Sequence, residues 1–447
     1  MGNAHAPHVA TISAEAHIIT DVAAESTERF RALRHALIFG PVLLLTFAVL
    51  AFGATEEWSI FAVRAGAAFF LLLWATWQAA TGKLVVAPNR LYAPMGAFLL
   101  LLAAQVLSGM SAYAYATRYE FMQYIAYAAL AFVVSQAMRS EADFHRPLLF
   151  LTAFGFVLAV FALLQGFTSL GKIYWIVSPQ DSGSVYGPYV NRNHYAGIIE
   201  LLAPAPFALA GMRDKIAPQR ALFLFIGIVT ASSAFTCHSR TGLIAVTIEM
   251  AFLATFFVRR RKSAAMSLGI VVSGLLLVAL LFWLGGTHLL DRFQDMHDPY
   301  RIAVAKDSVA MIRSKPIFGW GAGTFPEIYP HFTSLYSDRF MNQAHNDVLQ
   351  LLIEAGVIGF SIGLWFIIAL YKAANSRLRS SRLRYQATFI LAAIVGCTGL
   401  LFHSFFDFNL HVTANAAWFY SLAAIVGIAN APCAPAKQKP VQQQSVD

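Results

Sequence analysis

Charge is what this chain has least of: Asp, Glu, Lys and Arg make up 12% of its 447 residues, against 58% hydrophobic residues. A soluble fold of that size has too little polar surface to cover so large an apolar fraction. Cysteine is nearly missing too. The three present, Cys237, Cys397 and Cys433, offer neither a disulfide framework nor a metal-binding spacing. No internal repeat is evident. The first apolar run follows a polar stretch and lacks a small-residue cleavage pattern, so it reads as a retained anchor rather than a signal peptide.

Long apolar runs are what the sequence has in abundance. About 20 residues with almost no charge match the ~30 Å hydrocarbon core of a bilayer. Such runs fall at Arg34 to Gly53, Trp58 to Ala80, Leu91 to Met110, Tyr119 to Met138, Pro147 to Phe167 and Asn193 to Met212. They continue at Arg220 to Cys237, Arg240 to Val258, Ala264 to Leu284, Asn346 to Tyr371, Tyr385 to Phe405 and Leu410 to Asn430. The expected fold class is all-α, a polytopic transmembrane helix bundle of about 12 spans. A large extracytoplasmic loop separates the ninth span from the tenth. In sequence terms this gives a tail over 1–33, nine spans over 34–284, the loop over 285–344, three spans over 345–430 and a second tail over 431–447. The tails are polar or rich in Ala, Pro and Gln, and disorder is expected there. Within the loop, Ile302, Ala305, Val309 and Ile312 recur at helical spacing, which predicts an amphipathic helix from about Pro299 to Ser314, ended by Pro316.

The formal net charge of +9 invites a nucleic-acid reading, but position decides against it. About 21 of the 32 basic residues lie on one alternating set of loops, which the positive-inside rule makes cytoplasmic. Both termini fall on that side. Histidine follows the opposite pattern. Apart from the N-terminal tail and His35, only His145 is cytoplasmic, while His194, His238, His288, His297, His331, His345, His403 and His411 map to the outer side. Polar rings do favour interfaces, yet so one-sided a set points to a site facing outward.

Several segments there carry chemistry. Asn191, Arg192, Asn193 and His194 open the sixth span, where a helix N-terminus directs N–H groups and a positive dipole end toward any phosphate. The same residues also fit a plain helix cap. The turn His238-Ser239-Arg240-Thr241-Gly242 sets a second arginine at the start of the eighth span, where snorkelling is the competing account. Arg301 begins the amphipathic helix. Gly319, Gly321 and Gly323, in GWGAGTF, lack a βαβ setting and read as a tight backbone crossing rather than a nucleotide loop. His345, Asn346 and Asp347 open the tenth span, and His345 suits proton transfer at a water-facing rim. His403, Asp407, Asn409 and His411 surround the last outer turn, with no spacing diagnostic of a metal. Glu200, Glu249 and Glu354 lie deeper. An ionised carboxylate there costs about 3 kcal/mol, so each is expected protonated, paired or facing a polar cavity.

In their order and sidedness these segments resemble the O-antigen ligase and polymerase superfamily of bacterial envelope proteins. The resemblance rests on NRNH, SRTG, GWGAGTF, the His345-Asn346 pair with Gly356 beyond it, and HSFFDFNLH followed by Asn415. It spans Gly187 to Asn415; the first five spans agree only in hydropathy. It implies an inverting, metal-independent glycosyltransferase of the GT-C type in the bacterial inner membrane, without cofactor and with a periplasmic active site. The implied donor is an undecaprenyl-diphosphate-linked glycan, and the implied acceptor a glycan, lipid A core or protein hydroxyl. Catalytic roles carry over to His345, Arg240 and Arg301, although the family's Leu four residues after that last arginine is Ala305 here. Arg192, Asn193, His194, Asn346, His403, Asp407 and His411 are the expected substrate-binding residues. His345 is implied either as general base or as a phosphate ligand. A multi-span transporter or flippase is the competing reading, with Glu200, Glu249 and Glu354 as its ion or proton sites.

Overall fold

The structure is a computed structural model that describes residues 32–82, 84–138, 140–179, 185–212, 214–260, 299–335, 341–381 and 383–429. The expected ninth span, most of both tails, His288 and His297 lie outside those residues. In chain order the helices are α1 (Ala32–Leu50), α2 (Glu57–Thr81), α3 (Tyr92–Leu107), α4 (Ala114–Ala137), α5 (Glu141–Thr168), α6 (Arg192–Leu202) and α7 (Pro204–Ala210). There follow α8 (Ala217–Thr236), α9 (Arg240–Arg259), α10 (Pro299–Ser314), α11 (Asp347–Ser380), α12 (Arg384–His403) and α13 (Thr413–Gly427). Single turns occupy Phe325–Ile328, Tyr329–His331 and Asn409–His411. Among the described residues the only β pairings are isolated bridges.

Seven of these helices, α1, α2, α5, α8, α9, α11 and α12, are long and apolar enough to cross a membrane. The others explain why hydropathy alone suggested more. The expected sixth span is two short helices, because Pro204 has no N–H to continue the ladder of α6. Both are buried along almost their whole length, so their apolar residues face protein rather than lipid. The last expected span shortens to α13, buried at every residue but Tyr420; it is a core helix packed against α4 and α12. The tenth is not one continuous helix either, for α11 breaks at Gly356 (φ 62°, ψ −166°).

Basic loops gather at one end of the bundle. Arg34 pairs with Asp143, Lys215 donates to the Tyr385 hydroxyl at 3.0 Å, and Arg260 donates to the Leu378 carbonyl at 2.8 Å. At the other end stand the start of α6, the start of α11 and the turn between α12 and α13.

The amphipathic helix forms where the sequence places it, as α10, but it buries a different face. Val304 and Met311 pack with Phe325, Tyr329, Ala344 and Ile353, whereas Ile302 and Val309 are exposed. The buried Asp307 fixes that choice: its carboxylate accepts from the Tyr329 hydroxyl at 3.2 Å and from the Ser334 N–H at 3.1 Å.

After α5 the chain makes a compact turn in which Leu170, Tyr174 and Trp175 all have positive φ. Tyr174 is drawn inward, its hydroxyl on the Leu50 carbonyl and its ring against Phe52 and Phe161. Leu170 and Ile176 are left outward, 96% and 79% exposed, beside the exposed Phe167 at the end of the α5 span. Apolar tips continuous with a lipid-facing helix belong at the bilayer interface. Nitroxides on L170C and I176C should therefore collide more with oxygen than with a water-soluble nickel complex in liposomes. The reverse order would place the turn in water.

Candidate active site

The turn after α12 organises the polar end. Asp407 sits at its centre with no exposed surface; its Oδ2 accepts from Asn193 Nδ2 at 2.5 Å and its Oδ1 from the Phe408 N–H at 2.9 Å. Two imidazoles approach Asp407 Oδ1, His345 Nδ1 at 3.8 Å and His194 Nε2 at 3.9 Å. These are electrostatic contacts, longer than hydrogen bonds. Both rings stand edge-on to Phe408, at 5.1 Å and 4.6 Å between centroids. Burial works to raise the Asp407 carboxyl, but the neighbouring His345, then His194 and His403, outweigh it and hold it below the usual carboxylate range. Asp407 is thus a fixed anion between imidazoles.

Helix N-termini converge on this turn for reasons legible in their caps. Asn191 caps α6, accepting from the Asn193 N–H at 2.9 Å. Asn346 caps α11, accepting from the Val348 and Leu349 N–H groups at 2.9 and 3.0 Å, and donates Nδ2 to the Phe405 carbonyl at 2.7 Å. His345, just before it, is held at φ 51°, a strained value for a residue with a Cβ. Arg301 of α10 donates to the Phe406 carbonyl at 3.3 Å. Beside α6 lies the start of α9, whose cap Ser239 accepts from the Gly242 N–H at 3.2 Å. Gly242 packs so closely on Ala196 that a Cβ would clash, and this sets Arg192 and Arg240 at adjacent helix starts. Three positive dipole ends and several cations at one end of a bundle suit an anionic group.

The structure thus brings Asn193, His194, His345 and Asp407 together directly, and Asn346 and Arg301 onto the backbone of the same turn. His403 is elsewhere: fully buried beneath the turn, it bonds Glu200 through Nδ1 at 2.7 Å. His411 turns to yet another partner, Asp347. His403, Asp407 and His411 therefore do not converge, and among the described residues no group of three or more His, Cys, Asp or Glu is arranged to hold a metal ion.

Asp347, which the sequence shows only as part of the helix start beside Asn346, has a tertiary partner as well. It holds His411 Nδ1 on Oδ1 at 2.7 Å and the Leu410 N–H on Oδ2 at 3.1 Å. Its own N–H donates to the Ser404 carbonyl at 2.9 Å. Burial lowers the His411 imidazole, but the Asp347 hydrogen bond and charge overcome this and carry it up to about 9. Asn415 ties the base of the site: its Nδ2 donates to the His194 carbonyl at 2.8 Å and to Asn409 Oδ1 at 2.9 Å, while its Oδ1 accepts from Tyr189 at 2.8 Å.

The expected backbone crossing is present and shapes the neighbouring space. The strand of loop carrying Gly319 and Gly321 inserts into the break of α11, where the Trp320 and Gly321 N–H groups bond the Ile353 and Glu354 carbonyls at 2.8 and 2.9 Å. Gln105 of α3 clamps the junction, donating to the Phe318 and Glu354 carbonyls at 2.8 Å each. Below the turn, between α3, α4, α11 and α13, lies a cavity of about 330 Å³. Its walls are mostly apolar, among them Met95, Phe98, Leu351, Phe366 and Tyr420, and one end holds Glu120, Glu354, Asp347 and His411. The cavity follows both parts of α11, with Asp347 and Leu351 lining it before the break at Gly356 and Phe360 and Phe366 after it.

An all-helical integral membrane protein with a polar, cation-rich end opening onto an apolar cavity is the class that these features define. Residues 222–364, about a third of the chain, match the family model described as O-antigen ligase (Wzy_C), so this stretch is similar to that family. The matched stretch includes Arg240, Arg301, the glycine crossing, His345 and Gly356, and ends before Asp407. Among curated proteins no sequence matches the chain.

Proposed function

We propose that the protein transfers a glycan, with inversion, from an undecaprenyl diphosphate carrier to an acceptor hydroxyl at the non-cytoplasmic face of the bacterial inner membrane. The observation that carries this reading is the apolar cavity ending at the polar turn, since a lipid-linked sugar needs both in one place. In this reading the carrier tail occupies the cavity, and Arg240 and Arg301, with Arg192, hold the diphosphate. They stabilise the charge that grows on it as the C1–O bond breaks, the task a divalent cation performs elsewhere. His345, with Asp407 behind it, sits near the acceptor hydroxyl, as general base or as a further phosphate ligand. Asn193, His194 and Asn346 line the approach, while His403, paired to Glu200, supports the turn from below. The choice of face is supported by the positive-inside rule, under which the loops richest in Lys and Arg belong to the cytoplasmic side.

Purified protein in liposomes, given lipid-linked glycan and a candidate acceptor, should yield glycosylated acceptor and an equal amount of undecaprenyl diphosphate. One feature favours a carrier instead: Glu249 is fully buried with neither carboxylate oxygen hydrogen-bonded, as an intramembrane ion or proton site would be. Counterflow of substrate without release of undecaprenyl diphosphate would decide for that alternative.

A further inference from the structure

Two histidines of the polar end differ in how they are held. His345 has no hydrogen-bond partner on its buried Nδ1, and its nearest carboxylate oxygen is 3.8 Å away. His411 is clamped: Asp347 fixes its Nδ1 at 2.7 Å, and that aspartate is itself anchored by the Leu410 N–H and the Ser404 carbonyl. With Nδ1 taken, the tautomer is set by Asp347, and His411 lines the cavity. A base oriented by a carboxylate on its far nitrogen is the arrangement that activates a hydroxyl in unrelated enzymes.

We infer that His411, positioned by Asp347, is the group that takes the proton of the attacking hydroxyl. This rests on the glycosyl-transfer reading and names the base within it, leaving His345 as a phosphate ligand. In the step, the acceptor O–H bond breaks and its proton goes to Nε2 of neutral His411. The oxygen lone pair forms the new C1–O bond, and the electrons of the old C1–O bond leave with the diphosphate. The imidazolium formed is stabilised by Asp347 and is discharged to water before the next turnover.

The surroundings reinforce that basicity. From α11 Glu354 faces the ring along with Asp347, and from α4 Glu120 does so, with Arg64 of α2 behind it. Tyr124 of α4 and Tyr420 of α13 complete the cavity near it. An imidazole carried up to about 9 is mostly protonated at neutral pH. The competent neutral form therefore grows as pH rises, and a rate limited by it climbs toward a limb near 9. A histidine that instead bound phosphate as a cation would give the opposite slope.

The test is the pH dependence of kcat/KM for glycan transfer in proteoliposomes, for wild type, D347N and H411Q. The wild-type limb should lie near 9. In D347N it should move toward the ordinary histidine range, about 6.5, with a lower plateau. H411Q should lose about 10²-fold or more and the limb with it, while still binding undecaprenyl diphosphate, which shows that it is folded. A D347N limb that does not move, wild-type rates in H411Q, or a wild-type rate that falls between pH 7 and 9 would each overturn the assignment while leaving glycosyl transfer intact. Absence of transfer in wild type would instead remove the reading beneath it.

Discussion

Arg240→Ala and His345→Ala should each lower glycan transfer by about 10²-fold to 10³-fold or more, with normal amounts of protein in the membrane. The expectation follows from what each side chain meets. Arg240 stands half-buried at the start of α9, next to the N-terminus of α6, where the proposed diphosphate gains both a cation and two helix dipoles. His345 stands beside Asp407 on the turn that α11 leaves. Neither residue anchors a span, so insertion should survive. Arg240→Lys separates charge from geometry: a point charge without the planar fork should restore only part of the activity. Transfer at the wild-type rate in either alanine variant would remove these residues from the site.

The second large effect is on folding. Gly356 lies at φ 62° and ψ −166°, a region essentially closed to residues with a side chain, and a Cβ there would run into the Ile317 carbonyl. Strain and overpacking together make Gly356→Ala destabilising by roughly 3–5 kcal/mol. The damage should also reach function, because the same break presents the Glu354 carbonyl to Gly321 and the Glu354 side chain to the cavity. Gly96 is the control: it lies within α3 with open space where a Cβ would go. Gly96→Ala should therefore be neutral or slightly stabilising. Thermal inactivation of the detergent-solubilised variants measures the difference; equal half-lives would mean that the α11 break is not the constraint described.

How much of this was legible in the sequence depended on whether the signal was local. Of the basic loop residues, Arg34, Lys215 and Arg260 make the contacts at one end described above. GWGAGTF could be read as a backbone crossing since glycine is demanded by the chain's own conformation: Gly319, Gly321 and Gly323 all have positive φ. The α6–α7 break was written in Pro204 but masked by the apolar run around it. Hydropathy also cannot distinguish a helix bathed in lipid from one bathed in protein, which is why α13 passed for a full span.

Pairings across long separations were out of reach. His411 finds Asp347 from 64 residues away and His403 finds Glu200 from 203. Sequence could gather these histidines at one end of the bundle without saying which carboxylate each would meet. The face of α10 was missed for a similar reason: Asp307 buries itself to reach Tyr329, and that tertiary bond outweighs the apolar repeat at Ile302 and Val309.

The proposal that a lipid-linked glycan is handled here depends most on what fills the apolar cavity. A diazirine in the isoprenoid tail of an undecaprenyl diphosphate-linked glycan, photolysed in proteoliposomes and mapped by peptide sequencing, tests it directly. Labels should fall on Phe98, Tyr124, Leu351 and Phe366 and disappear when unlabelled undecaprenyl diphosphate competes. Labelling confined to outward-facing residues such as Phe61 and Leu72, indifferent to the competitor, would contradict it.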